Sequence, residues 1–344
     1  VTVDEAAEGQ RLDNFLLKTL KGVPKSHVYR VIRSGEVRVN RGRASADTRL
    51  AIGDVVRLPP VRVSASAAPG AAQARPVPGR EFPVVHEDDA LLALDKPAGV
   101  AVHGGSGVSF GVIEQLRRAR PQARFLELVH RLDKETSGLL LVAKKRSALT
   151  ALQDALRDHR GPDSIRKTYA ALVWGDWPAH LKVIDAALHK GTDSAGERHV
   201  RVVDADHDDA RRAITLVHVA RRFDGCTLLE VTLKTGRTHQ IRVHLASAGH
   251  PIVGDPKYGD FARNKALARG EALPGQRFDR MFLHARALDL PHPVTGARLA
   301  LQAPLPAECR ALLEALPPIA PGAPAASAPA SPPPRHRRPT PDTR

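Results

Sequence analysis

The sequence predicts an α+β protein: a small basic module at the N-terminus, followed by a larger β-rich domain. Three observations carry this. Between residues 81 and 316, strand-length apolar runs dominate, at 91–94, 139–143, 169–173 and 226–233, and helical patterns fall at irregular places among them. Such irregular alternation argues against a repeated β-α-β unit and so against a doubly wound sheet. Second, Leu12, Phe15, Leu16 and Leu20 form an apolar stripe at helical spacing within the first 61 residues. Third, residues 62–80 and 317–344 shift to Ser, Ala, Pro and Gly with few large apolar groups. Such compositions bury too little to order themselves, so a flexible linker and a disordered basic tail are expected there.

The elements follow in order. After the first stripe, Pro24 breaks the chain, and Ser26 is placed to cap a helix that runs to Arg33 and ends at Gly35. Val28, Val31 and Ile32 would face inward, leaving Lys25, Arg30 and Arg33 to project outward. Val37-Arg38-Val39 alternates as a strand does, Asn40-Arg41-Gly42 reads as a turn, and residues 55–58 read as a further strand. In the larger domain, the four apolar runs are strands and residues 149–159 a helix. A second helix is expected from Thr238, its N-cap, to just before Gly249.

Composition narrows the function. The chain has 344 residues, 42% of them hydrophobic, enough for one large core and a small one. A net charge of +15 and a pI near 10.4 predict a polyanionic partner, most simply nucleic acid. Between Lys21 and Arg57, nine Lys or Arg face three acids, which makes the N-terminal module a candidate phosphate-docking surface. Two cysteines cannot build a disulfide framework or a four-cysteine zinc site, which fits a reducing cytoplasm. No apolar run is long enough to cross a membrane as a helix, and no signal-peptide pattern is visible.

Several cofactor classes are also disfavoured. Gly249 and Gly254 have phosphate-loop spacing, but Asp255 and Pro256 follow where Lys and Ser/Thr are needed. No glycine-rich dinucleotide fingerprint and no cysteine-based deaminase motif occur. His239, His244 and His250 do not share a helix face and have no grouped acid or cysteine, so no metal is expected. The His103-Gly104-Gly105-Ser106-Gly107 stretch lacks a G-x-S-x-G partner and reads as a cleft-lining loop. The expectation is an enzyme without cofactor, metal or nucleotide.

Four segments carry the chemistry: His130-Arg131-Leu132-Asp133-Lys134-Glu135-Thr136-Ser137-Gly138, Lys167 to Gly175, Gly236 to His244, and Gly249 to Gly259. In this order they resemble the motifs of the RNA pseudouridine synthases that act on ribosomal RNA. Arg11-Leu12-Asp13 and Ser34 to Asn40 resemble the S4 RNA-binding module. Gly22 to Ser26, Pro59 to Val63 and Ala101 to Glu114 are similar to a group acting on large-subunit (23S) rRNA.

The resemblance implies a mixed, mainly antiparallel catalytic sheet with flanking helices. It makes Asp133 the essential carboxylate, attacking C1′ or C6 or removing a C2′ proton, with Arg242 as its counter-charge. Arg131 would enter the stack in place of the flipped base, and Tyr169 would stack on the uracil. His130, Arg237, His239 and Gln240 would contact RNA near Asp133; Arg11, Lys25, Ser26, Arg30, Arg33, Arg38 and Asn40 would do so in the S4 module. The implied partner is 23S rRNA or a pre-ribosomal large-subunit particle, modified at several uridines. A sister enzyme with other target sites and a non-catalytic S4-type assembly factor remain as rivals. On the helix placed here, Arg242 would project away from Ile241, Leu245 and Ala248, so its loss should harm catalysis more than folding.

Overall fold

Pro24 opens the second helix, and it does so without a side-chain cap. Its carbonyl accepts from the N–H groups of His27 and Val28, which starts the helix one residue before Ser26. Ser26 therefore lies exposed in the first turn and is not the N-cap. In the computed structural model the first module contains α1 (Leu12–Thr19), α2 (Lys25–Arg33), β1 (Arg38–Val39), β2 (Gly42–Arg43) and β3 (Val56–Arg57). Leu12, Phe15 and Leu16 of α1 pack against Val28, Val31 and Ile32 of α2, with Val37, Leu50 and Val56 closing the core. Lys25, Arg30 and Arg33 lie exposed, with Arg30 and Arg33 on the face of α2 away from its buried residues. The strands form an antiparallel sheet in the order β2-β1-β3. Asn40 and Arg41 both take positive φ (48° and 69°) between Val39 and its partner Gly42, as a tight two-residue hairpin requires.

The structure describes all residues except 5–6, 21–22, 61–76, 105–109, 159–160, 162–163, 193–197, 273–275, 318 and 320–344. Most of the expected linker and nearly all of the expected tail lie outside the described residues, as do Gly22 and Gly105-Ser106-Gly107.

The larger unit is a sheet of eleven strands. Its elements are β4 (Val84–Glu87), β5 (Leu91–Lys96), α3 (Val112–Ala119), β6 (Glu127–Leu128), β7 (Ser137–Ala143), α4 (Arg146–Arg157), β8 (Arg166–Trp174) and β9 (Val183–Thr192). They continue with β10 (Arg198–Val203), β11 (Arg211–Phe223), β12 (Cys226–Leu233), α5 (Gln240–Ser247), α6 (Phe261–Arg269), β13 (Leu283–Pro291), β14 (Arg298–Gln302) and α7 (Ala307–Ala315). The main path runs β10-β9-β11-β12-β8-β13-β7-β5-β4, with β14 on β13 and β6 on β7. Every pairing in it is antiparallel except β13 with β7, so the sheet is mixed and mainly antiparallel.

The apolar runs form strands because both their faces are covered. All seven residues of β7 are buried. Leu140 and Val142 enter one core, with Leu92, Leu94, Tyr169 and Leu283. Leu139, Leu141 and Ala143 enter another on the opposite face, with Ala148, Leu149 and Leu152 of α4. A strand buried on both faces loses the alternation that marks a half-exposed one. The expected helix at 149–159 is α4, which starts three residues earlier, at Arg146. The helix expected from Thr238 starts at Gln240, because His239 takes a left-handed conformation (φ 53°) and becomes the N-cap.

The parallel contact between β7 and β13 sits directly after the Asp133 loop. There Gly138 has φ +106°, and a Cβ on it would lie 2.3 Å from the Ala285 carbonyl oxygen. Gly138→Ala is expected to destabilise the protein by more than about 2 kcal/mol, combining backbone strain with a clash against backbone. Urea denaturation of the two proteins checks this. An unchanged midpoint would mean that the junction opens without loss.

Candidate active site

The segment 130–136 crosses from β6 to β7 in extended backbone that ends in a turn, where the Thr136 N–H donates to the Asp133 carbonyl. Leu132 is buried in the core, while Arg131 is exposed and Asp133 half-buried. The loop is clamped from beneath by Lys96 at the end of β5. The Lys96 ammonium is fully buried and donates to the carbonyls of Pro97 (2.8 Å), Val100 (2.8 Å) and Lys134 (3.1 Å). Burial pushes its pKa down to about 7. An ammonium with three rotatable donors suits three converging carbonyls, and here it ties the turn after Asp133 to the Pro97–Val100 segment.

Arg242 does not project away from the core as the helical pattern implied. It is 5% exposed, on a helix whose first six residues are all buried. Its Nε and Nη2 form a fork on the two oxygens of Asp255, both at 2.8 Å. Nη1 is left to donate to Asp133 Oδ2 at 3.3 Å. Asp255 is fully buried and also accepts from the N–H groups of Lys257 (2.8 Å) and Tyr258 (3.0 Å). Burial by itself would raise the Asp255 carboxyl; the guanidinium fork and the two backbone donors outweigh it and hold it below the usual carboxylate range. Burial would lower the Arg242 pKa, but Asp255 and then Asp133 outweigh it and leave it raised. Asp255 thus fixes the plane of the guanidinium and sets which nitrogen faces Asp133.

Around this pair, His239 Nδ1 lies 2.8 Å from the Tyr258 hydroxyl and Nε2 lies 4.0 Å from Asp133 Oδ1. The left-handed backbone at His239 costs about 1 kcal/mol for a residue with a side chain, and the Tyr258 contact helps hold it there. Burial lowers the His239 pKa, with Asp133 opposing and Arg242 assisting. The Tyr258 ring lies under the Arg242 guanidinium, 5.0 Å from the ring centre.

Two cavities meet at Asp133. The first, of about 430 Å³, is walled by Leu132, Tyr169, Leu233, Ile241 and Leu283, and Asp133 is its sole carboxylate among the described residues. The second, of about 600 Å³, is bounded by His103, Lys134, Pro256 and Lys257. Both share Arg131, Asp133, Arg237, His239 and Arg242. Tyr169 is 7% exposed, and burial together with the Asp133 charge raises its pKa, keeping the phenol neutral.

The remaining expected site residues fall into two sets. Arg237 is exposed at the rim, its Nε donating to the Arg212 carbonyl at 3.2 Å. His130 and Gln240 line the first cavity but are engaged inside the protein. His130 Nε2 accepts from the Leu141 N–H at 3.1 Å, and burial, helped by the charge of Lys167, lowers its pKa to about 4. Gln240 Oε1 accepts from Thr235 and from the Arg237 N–H, while Nε2 donates to the Ile214 carbonyl and Thr215. That fills every position of the amide, so Gln240 shapes the loop and has nothing left for RNA. In the N-terminal module, Arg11 is forked onto Asp13 (3.2 and 2.8 Å), which also accepts from the Tyr29 hydroxyl. Asn40 bridges to Asp54 (2.7 Å) and the Val55 N–H (2.9 Å), and Arg38 donates to the Arg41 carbonyl (3.2 Å).

The family model described as RNA pseudouridylate synthase matches residues 90–247, and the S4 domain model matches residues 10–56. A protein of Pasteurella multocida (strain Pm70) named ribosomal large subunit pseudouridine synthase C is 49% identical over 317 residues, 92% of this chain and 93% of its own. The chain belongs to the RNA pseudouridylate synthase family. A Yersinia pestis protein of the same name is 50% identical over 319 residues, 92% of this chain and 94% of its own. Among solved structures, human RNA pseudouridylate synthase domain containing 4 is similar with a TM-score of 0.54 at 27% identity, over 67% of this chain and 91% of that one.

Within this pseudouridylate synthase, the matched region spans the Asp133, Tyr169 and Arg242 segments but stops short of Asp255. Asp255 and Lys96 are the residues sequence reasoning missed. Gly254-Asp255-Pro256-Lys257-Tyr258 was legible as a motif, but nothing in it signals that a carboxylate thirteen residues after an arginine will bind it in space.

Proposed function

We propose that the protein isomerises uridines in 23S ribosomal RNA to pseudouridine at several sites, with Asp133 as the catalytic carboxylate. The names of its relatives support the substrate. The observation that carries the site is Asp133 as the sole carboxylate, among the described residues, facing a cavity with an aromatic and aliphatic wall, held by an arginine that a second carboxylate fixes. In the reaction the C1′–N1 bond breaks and a C1′–C5 bond forms. The C5 hydrogen leaves as a proton and N1 gains one, so nothing is consumed and no cofactor is called for.

A uracil cannot reach Asp133 while stacked, so the target nucleotide is flipped into the first cavity, at a cost of a few kcal/mol. Tyr169 stacks on the uracil, worth about 1–3 kcal/mol, and the exposed Arg131 fills the gap left in the RNA. Asp133 stands half-buried where the two cavities meet, within reach of a base entering the first. The partner is 23S rRNA, free or in a pre-ribosomal particle, and the compartment is the cytoplasm.

The test is incubation of purified protein with a 23S rRNA transcript and mapping of pseudouridine at single-nucleotide resolution. More than one modified position is expected. A transcript and ribosomal particles both left unmodified would refute the reading.

RNA docking by the S4 module gives a separate expectation. Lys25, Arg30 and Arg33 are exposed on α2, outside its buried set of Val28, Val31 and Ile32. Reversing all three charges in the full chain should leave the fold intact and lower the salt dependence of binding, by about 0.7–0.9 in log–log slope for each phosphate no longer neutralised. Binding curves at several salt concentrations measure this, and an unchanged slope would remove the α2 face from the docking surface.

A further inference from the structure

Lys167 stands in the cavity wall, and the proposed reaction leaves its chemistry unused. It stands second in β8, two residues before Tyr169 and therefore on the same face of the strand. Both side chains line the 430 Å³ cavity beside Asp133. The Lys167 ammonium lies against Gly236, 3.6 Å from where a Cβ on that glycine would stand. Lys167 is half-buried, and among the described residues its ammonium has neither a hydrogen bond nor an ion pair.

The other cations of the cavity differ: Arg131 is exposed to solvent, and the rest have partners. Arg242 is bound by Asp255 and Asp133, Arg157 pairs with Asp154, and Arg237 is bonded to a carbonyl. Asp133, the sole carboxylate of the lining among the described residues, is already met by Arg242. A cation withdrawn from water without a partner is unfavourable in the free protein, and burial lowers its pKa accordingly. Groups held in such a state mark sites where a ligand completes the arrangement.

We propose that Lys167 is an anion subsite that takes a phosphodiester oxygen of the target nucleotide once its uracil occupies the cavity. This rests on the function proposed above. The nucleotide carries a full negative charge on each side of its ribose, whereas the uracil carbonyls are neutral. A charged acceptor roughly doubles the strength of the hydrogen bond and also supplies the missing counter-ion. The lysine would then add to the orientation of the ribose against Asp133.

The experiment uses full-length protein with Lys167→Met and Lys167→Arg, and an rRNA fragment that the wild type modifies. For Lys167→Met we expect a log–log salt slope of binding smaller by about 0.7, the value for one single-strand phosphate, and a weakened affinity. Lys167→Arg should restore the slope. Thermal unfolding of the free Lys167→Met protein should be unchanged or shifted upward, because an unpaired, desolvated charge has been removed. A lowered melting temperature would make Lys167 a structural residue and overturn the proposal. An unchanged slope with a reduced saturated rate would place the interaction on the base and overturn it equally. Should the wild type modify no rRNA at all, the proposed function fails, while the slope difference between wild type and Lys167→Met still reads the anion interaction on any RNA that binds.

Discussion

Asp133→Asn is expected to lower pseudouridine formation by roughly four orders of magnitude, the scale on which an enzyme loses its nucleophile or base. RNA affinity should stay within about threefold of wild type, because RNA docking rests on exposed cations and phosphates. The substitution is a narrow one. The amide oxygen can still accept from Arg242 Nη1, the contact seen at 3.3 Å, and the side chain keeps its shape on a half-buried loop. Single-turnover measurement at saturating rRNA, beside an equilibrium binding curve, separates the two effects. Substantial turnover by the purified variant would exclude Asp133 as the reacting group and direct attention to the other carboxylate near the second cavity, Glu135.

Arg242→Ala should abolish activity and also cost about 3–5 kcal/mol of stability at neutral pH, the scale for stranding a buried charge. This differs from the sequence-based expectation, in which catalysis suffers more than folding. The reason is Asp255: fully buried, it would keep two backbone donors but lose the guanidinium fork. In the wild type the Asp255 pKa is depressed, so its contribution to stability is present above the ordinary carboxylate range and is lost as pH falls through the folded value. In the variant the unopposed burial acts the other way and raises that pKa. The stability gap between the two proteins should therefore narrow as pH falls from neutral toward 5, where protonation relieves the variant. Urea denaturation at both pH values reads this, and a gap that widens on acidification would rule out Asp255 as its origin. Arg242→Met combined with Asp255→Asn should regain much of the stability, since the amide oxygen can still accept from Lys257 and Tyr258, yet remain inactive. That pair of outcomes separates the scaffold role of the arginine from its role at Asp133.

Much of the fold is legible in single segments. The run at 226–233 coincides with β12, and 139–143 lies within β7, where a strand covered on both faces is apolar throughout that run. Val28, Val31 and Ile32 lie inward as their spacing implies. Less legible is the wing formed by β9, β10 and β11, which carries Arg, Lys, His and Asp between its apolar positions. One face of this wing is largely solvent-exposed, so its apolar content is low and broken, and the long strands are held by antiparallel pairing with one another. Hydrogen bonds between distant backbones leave little trace in side-chain pattern.

The candidate site shows the same division. The motifs single out Asp133, Tyr169, Arg242 and Arg131, and the structure brings all four to one cavity. Motif spacing says nothing, however, about which polar side chains are consumed internally. His130, Gln240, Arg11 and Asn40 are chemically suited to RNA, yet each meets a protein partner instead.

The sequence by itself therefore determined the fold class, the basic N-terminal module, the inward faces of its helices and the motifs that belong to a pseudouridylate synthase. The first three follow from local composition and periodicity, which act over a few residues, and the motifs from their resemblance to the family. Only the tertiary structure decided that Arg242 is buried, that Asp255 holds it, that Lys96 clamps the Asp133 turn, and that Lys167 is left unpaired among the described residues. Each of these depends on which charges meet after distant strands and helices pack. The energy of a buried charge is set by its partners in space, whatever their distance along the chain.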